Sequence, residues 1–259
     1  MTTEIIFSII IPFIGTILGS CCIYLFKRLD DKIVRAFSGF AGGVMFAASI
    51  WSLIIPSFEQ ASNMENLSFI PVVVGLWAGF LFLMLLDKLV PHTHCNEDES
   101  EGLKCKLKRS TMTSLAVALH NFPEGLAVGV VLASATNESS SVPITMAIAL
   151  AIGIAIQNFP EGAIVSVSMN ASGTNKHKSC LLGILSGIVE PIGALITFFL
   201  ASFITPALPY LLCFAAGAMI YVTIEELIPE MVKGKHSHIG TILFAIGFTL
   251  MMILDVLLG

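Results

Sequence analysis

Residues 115–125 read LAVALHNFPEG, and residues 152–162 read IGIAIQNFPEG. Both stretches lie inside long apolar runs. Each run is interrupted by an imidazole or amide, an asparagine, a proline and a glutamate at the same offsets. Proline removes a backbone donor from a helix, and a carboxylate is costly in hydrocarbon. A cassette that pays both penalties twice needs a compensating partner, and the character of the whole chain says where to look for it.

The chain has 259 residues, of which 56% are hydrophobic and 12% charged, with a mean hydropathy of +0.90. Soluble domains carry about 25% charged residues. This composition is that of an integral membrane protein. Apolar segments run over residues 5–26, 36–57, 69–89, 112–134, 143–169, 181–203, 208–230 and 239–258. Each approaches or exceeds the roughly 20 residues that a helix needs to cross about 30 Å of hydrocarbon. The alternation of a membrane β-barrel is absent. The expectation is an all-α protein of eight transmembrane helices, spans 1 to 8, forming a single transmembrane domain over residues 1–259.

Charge orients the spans. No Lys or Arg precedes the first segment, so it reads as a retained helix rather than a cleavable signal. With the N-terminus outside, all 13 Lys and Arg residues fall in inside loops or at their edges. They are Lys27, Arg28, Lys32 and Arg35 after span 1, and Lys88, Lys104, Lys106, Lys108 and Arg109 around the loop after span 3. Lys176 and Lys178 follow span 5, and Lys233 and Lys235 follow span 7. The positive-inside rule then predicts both termini outside. A net charge of -5 gives no reason to expect a nucleic-acid partner. Cys21, Cys22, Cys180 and Cys213 lie in or beside spans, and Cys95 and Cys105 fall in an inside loop where thiols stay reduced.

The chain also repeats itself at longer range. FAGGVMFAASIWSLI (40–54) aligns with FAAGAMIYVTIEELI (214–228), and GFLFLMLLDKL (79–89) with GFTLMMILDVL (247–257). Span 2 therefore resembles span 7, and span 3 resembles span 8, each pair running in opposite directions. This predicts a 3+2+3 plan in which spans 1–3 and 6–8 are inverted repeats around spans 4 and 5. Inverted repeats are typical of transporters, with the substrate site near the midplane.

The cassettes supply the chemistry. His120 and Glu124 are four residues apart and share a helix face, as do Gln157 and Glu161. Asn121 and Asn158 lie one residue round. Pro123 and Pro160 free the carbonyls of Leu119 and Ile156, which a cation can then occupy. Glu190 adds a carboxylate in span 6, followed by Pro191. Three carboxylates in a membrane interior call for protonation or a bound cation. Imidazole nitrogen with carboxylate oxygen suits zinc, iron(II), manganese or cobalt, whereas calcium and magnesium prefer oxygen alone. Met45 in span 2 is either a soft thioether donor or a core residue. Polar glue between neutral side chains is the structural alternative for the cassettes.

At HNFPEG and QNFPEG the chain resembles the Zrt/Irt-like (ZIP) divalent metal transporter family, most closely its bacterial GufA-like branch. The resemblance covers essentially the whole chain. It implies a binuclear site midway across the membrane, holding two adjacent zinc ions or related divalent metals. The ligands it implies are His120, Asn121 and Glu124 from span 4, Gln157, Asn158 and Glu161 from span 5, Glu190 from span 6 and Met45 from span 2. Glu124 and Glu161 would bridge both metals. Many relatives have His in place of Gln157 and some have Asp in place of Asn158, so one subsite here is weaker in ligand strength or charge. The resemblance also implies a homodimer, an elevator-like slide and a place in a bacterial plasma (inner) membrane.

Outlying residues extend the path. The inside loop over residues 91–111 carries His92, His94 and Cys95 before an acidic run, suited either to handling released metal or to serving as a polar connector. Glu225 and Glu226, late in span 7, can receive metal at the exit or cap a helix end. Asp87 and Asp255, matched by the repeat, read as anchors of span ends. Glu59 and Glu65 lie outside, where they can attract cations. His236 and His238 lie in the last inside loop, and His177 reads as solvated. The function expected is inward transport of divalent metal, zinc first and then cadmium, iron and manganese. The rivals are a proton-coupled carrier of a small organic solute and a membrane-embedded zinc hydrolase. The hydrolase is disfavoured because His120 is the one histidine deep in a span and HExxH is absent.

Overall fold

A computed structural model describes residues 2–26, 28–91, 109–138, 140–201, 205–234 and 236–258. His92, His94, Cys95 and most of the loop over residues 91–111 lie outside these described residues. Within them the chain is helical and contains no strand. Eight helices are long and apolar enough to cross a membrane: Thr2–Tyr24, Asp31–Gln60, Phe69–Leu89, Thr111–Ala135, Ile144–Ala171, Lys176–Ala201, Leu208–Val232 and Ile239–Leu258. These are spans 1 to 8, and they coincide with the apolar segments to within a few residues.

The spans differ in how they are used. About 72% of the central stretch of span 4 is buried by protein, against 17% for span 8 and 28% for span 3. Spans 3 and 8 therefore present broad apolar faces outward, and the cassette helices sit inside. Spans 4 and 5 run unbroken through Pro123 and Pro160. Span 6 breaks at Ile188, between helices Lys176–Gly187 and Val189–Ala201. Pro191 explains the break, because it cannot donate to the carbonyl of Gly187 four residues earlier.

Spans 2 and 7 each contain a wide, π-type turn, over Ser49–Ile54 and Thr223–Leu227. In the alignment of 40–54 with 214–228 these turns begin at corresponding residues. Pro56 and Pro229 follow closely and remove donors from the helical ladder, which favours a widened turn just before them.

The strongest packing joins span 1 to span 5, span 2 to span 8, span 3 to span 7, and span 4 to span 6. Glycine sets the spacing. A Cβ on Gly43 would strike the Phe244 carbonyl, and one on Gly217 the Leu76 carbonyl. A Cβ on Gly247 would strike the Phe40 carbonyl, and one on Gly79 the Phe214 carbonyl. Gly43 aligns with Gly217, Phe40 with Phe214, Gly79 with Gly247 and Leu76 with Phe244. The span 2–span 8 and span 3–span 7 contacts therefore have the same register. Such backbone approach is what small residues permit in membranes, where apolar burial offers no drive for association.

Candidate metal-ion site

The same device assembles the cassettes. Gly125 and Gly129 of span 4 lie against the carbonyls of Glu190 and Ala194, so span 6 approaches as closely as backbone allows. Gly15 and Gly19 of span 1 lie against the carbonyls of Ala155 and Phe159 of span 5. Side chains from spans 1, 4, 5 and 6 consequently meet in one buried cluster.

Glu190 is the best-satisfied carboxylate in it. Its Oε1 accepts hydrogen bonds from Thr16 Oγ1 at 2.8 Å and Asn121 Nδ2 at 2.7 Å. Its Oε2 accepts from Asn158 Nδ2 at 2.8 Å. Asn158 Nδ2 also lies 3.4 Å from the Pro12 carbonyl. Glu124 Oε1 accepts from Gln157 Nε2 at 2.5 Å, which ties the two cassettes together. His120 Nδ1 pairs with Glu226 Oε2 across spans 4 and 7. Glu124 lies within electrostatic range of both Glu161 and Glu190.

Several atoms of this cluster have no donor. Asn121 Oδ1, Glu124 Oε2, Gln157 Oε1, Asn158 Oδ1 and Glu161 Oε1 are all buried without a hydrogen-bond partner. Every one is an acceptor. Buried polar atoms are ordinarily paired, and leaving one unpaired costs about 1–3 kcal/mol. A group of orphaned oxygens on two facing helices is a place where a positive ion recovers that cost. The amide nitrogens are spent on carboxylates, so the amide oxygens are what remains for a ligand.

Among the described residues, no three His, Cys, Asp or Glu side chains form a group that could hold a metal ion. The converging donors are carboxylate and amide oxygens, while the one imidazole of the cluster is engaged with Glu226. Met45 is buried within the apolar core, packed among residues such as Val44, Val128 and Met219.

The outlying residues are scattered. Glu225 is exposed, as are Glu59 and Glu65. Asp255 accepts from Ser52 Oγ at 2.6 Å, and Asp87 accepts from the Tyr221 hydroxyl at 3.1 Å, each bond crossing to another span. The rings of His236 and His238 stack edge to face, with centroids 4.8 Å apart. His177 is exposed but held, with its Nδ1 2.9 Å from the Tyr24 hydroxyl.

Three features escaped the sequence reading. Thr16 and the Pro12 carbonyl belong to the cluster, and Glu226 reaches into it through His120 rather than standing apart. Thr16 carries a faint signal, as a hydroxyl in an apolar run beside Gly15. Nothing local marks Glu226 out from Glu225.

Fold and cluster together define a multi-pass helical membrane protein built around a buried group of acids and amides. Comparison with known proteins narrows this. The family model for the ZIP zinc transporter matches residues 92–255, and the chain belongs to that family. It is 34% identical over 248 residues to "Zinc transporter GufA" of Myxococcus xanthus, covering 95% of each chain. It is 32% identical over a 322-residue alignment to "Zinc transporter ZIP11" of Homo sapiens, covering 94% of each. It is 34% identical over 250 residues to "Zinc transporter ZIPB" of Bordetella bronchiseptica, covering 95% of this chain and 79% of that one. These relatives are named as zinc transporters rather than enzymes.

Proposed function

We propose that this protein carries divalent transition-metal ions, zinc first, into the cytoplasm through the cluster between spans 4, 5 and 6. The observation that carries the reading is the set of orphaned acceptor oxygens on Asn121, Glu124, Gln157, Asn158 and Glu161. Glu124 and Glu161 are the bridging ligands of a two-metal site. His120, Asn121, Gln157, Asn158 and Glu190 complete it, and Met45 joins as span 2 shifts. An incoming ion exchanges its waters for these oxygens. In an inside-negative membrane, two charges crossing 100 mV gain about 4.6 kcal/mol. The hydrogen bonds that amides now give the carboxylates are the contacts a metal replaces.

Transport proceeds by alternating access. The shared register of spans 2 and 8 with spans 7 and 3 supports an inverted repeat, and with it a 3+2+3 plan. Spans 1, 4, 5 and 6 move as one body against spans 2, 3, 7 and 8. Both termini lie outside, the loop over residues 91–111 lies in the cytoplasm, and Glu225 and Glu226 form the exit. The broad apolar faces of spans 3 and 8 meet lipid and, in a homodimer, a second copy.

Uptake of zinc, cadmium, iron(II) and manganese into proteoliposomes, run in competition, tests the reading. His120→Ala and Glu161→Ala are expected to slow uptake sharply. If both variants transport like the parent, the ligand assignment is wrong. Transport of an organic solute that is indifferent to chelators would replace this reading with the proton-coupled one.

A further inference from the structure

Away from the central cluster, the ends of spans 1 and 6 bring two thiols together. Cys21 Sγ lies 3.9 Å from Cys180 Sγ. The Tyr24 hydroxyl, from the same end of span 1, lies 2.9 Å from His177 Nδ1. His177 and Cys180 are three residues apart on one helix and share its face. Lys176 Nζ sits 5.2 Å from the centre of the Tyr24 ring and pins it. Two sulfurs in contact, and a phenol oxygen in contact with an imidazole nitrogen, thus gather at the ends of two spans.

The sulfur separation is informative. Two thiolates on one tetrahedral ion, each at a metal–sulfur distance of about 2.3 Å, lie roughly 3.8 Å apart. The two thiols already have that spacing before any ion arrives. Cys180 is buried against Ile23 and Val167, with Cys21 and Leu29 packed beside it. Leu29 and Val167 also line a cavity of about 830 Å³ that extends to Arg28, Arg35 and Lys233, residues which charge assigns to the inner side. One layer of side chains therefore separates the thiols from that cavity. Cys21 is half-buried, and Tyr24 and His177 are exposed, so the pair lies near the molecular surface.

We propose that Cys21 and Cys180 form a peripheral site for thiophilic d¹⁰ cations such as zinc, cadmium or copper(I). The two thiolates are the protein ligands, and water completes the shell. Soft thiolate donors select such ions over magnesium or calcium. Binding is a ligand exchange: two metal–sulfur bonds form, two S–H bonds break, and both protons pass to solvent. No electron is transferred. The site stands whether or not the central cluster is the transport site.

The test uses the full chain, purified in detergent with a phosphine reductant, in a background carrying Cys95→Ser and Cys105→Ser. Cadmium chloride alone is the probe, and near-ultraviolet sulfur-to-cadmium absorption is the readout. The absorption is expected with proton release, and it saturates at one ion per chain when the central cluster is removed in the Glu124→Ala/Glu161→Ala double variant. It is expected to vanish in Cys21→Ser and in Cys180→Ser, with Cys180→Ala used should the serine variant fail to fold. It is expected to persist in Cys22→Ser, in Cys213→Ser and in the Glu124→Ala/Glu161→Ala double variant. Three results overturn the proposal. One is no absorption in the starting protein. Another is about half the amplitude in each single-thiol variant, which describes independent cysteines. The third is signal loss in the double glutamate variant, which places the cadmium elsewhere.

Discussion

His120 of span 4 is paired with Glu226 of span 7, so the central cluster is held on one side by a carboxylate from the widened turn Thr223–Leu227. The partner of a ligand histidine fixes its ring and tautomer, and such partners are worth about 10–100-fold in metal affinity or activity. The wide turn is also where span 7 departs from regular helix, and π-turns gather at functional sites. The pairing thus couples a candidate ligand to the helix that the transport cycle is proposed to move past it.

Glu226→Ala should therefore slow zinc uptake by about tenfold to a hundredfold, with Glu226→Gln between it and the parent. Initial rates in proteoliposomes measure this. The double variant His120→Ala/Glu226→Ala should be no slower than His120→Ala alone. Multiplying losses would mean that the two residues act separately.

Asn158 gives its amide hydrogen to Glu190, and its Oδ1 has no partner. Asn158→Asp replaces that donor with a second carboxylate facing Glu190. Without metal the variant should be less stable by about 1–3 kcal/mol, because a buried hydrogen bond is lost and like charges meet. With zinc the order should reverse, since a stronger ligand lowers the dissociation constant and bound ligand stabilises by mass action, about 2.7 kcal/mol at 100 times that constant. Melting temperatures in detergent across a zinc titration provide the measurement. A zinc-dependent shift no larger than the parent's would remove Asn158 from the ligand set.

Gly79 and Gly247 occupy matching positions, against the carbonyls of Phe214 and Phe40. Alanine at either forces two helices apart, and overpacking of this kind costs about 1–3 kcal/mol. Gly79→Ala and Gly247→Ala should lower the melting temperature by similar amounts. Gly162→Ala is a useful contrast, because its added Cβ meets Thr16 and Ser20 beside the cluster and should lower zinc affinity as well as stability. Widely different losses at Gly79 and Gly247 would show that the two interfaces are not equivalent.

Much of the fold was legible because membrane insertion is a local property. The eight apolar stretches become eight helices, and the cassette residues lie in the buried spans 4 and 5. Matching runs in spans 2 and 7 carry matching wide turns and matching glycine contacts, which became visible only once the helices were packed. The break at Ile188 was less clear, although Pro191 marks it once the helix is seen.

The cluster was only half legible. Its glutamates, asparagines and glutamine stand out in an apolar run, since each is a local anomaly. Thr16 does not, because a single hydroxyl in a membrane helix is ordinary. It joins the site through its bond to Glu190, 174 positions away.

The chain by itself determined which segments cross the membrane and which carry acids there, because hydropathy and helix-facing geometry sum along consecutive residues. The tertiary structure alone decided which of those acids are already satisfied and which oxygens are left for an ion. Those outcomes depend on contacts such as Asn158 with Glu190 and Gln157 with Glu124, more than 30 positions apart. They form only where glycine lets two backbones approach within reach of a hydrogen bond.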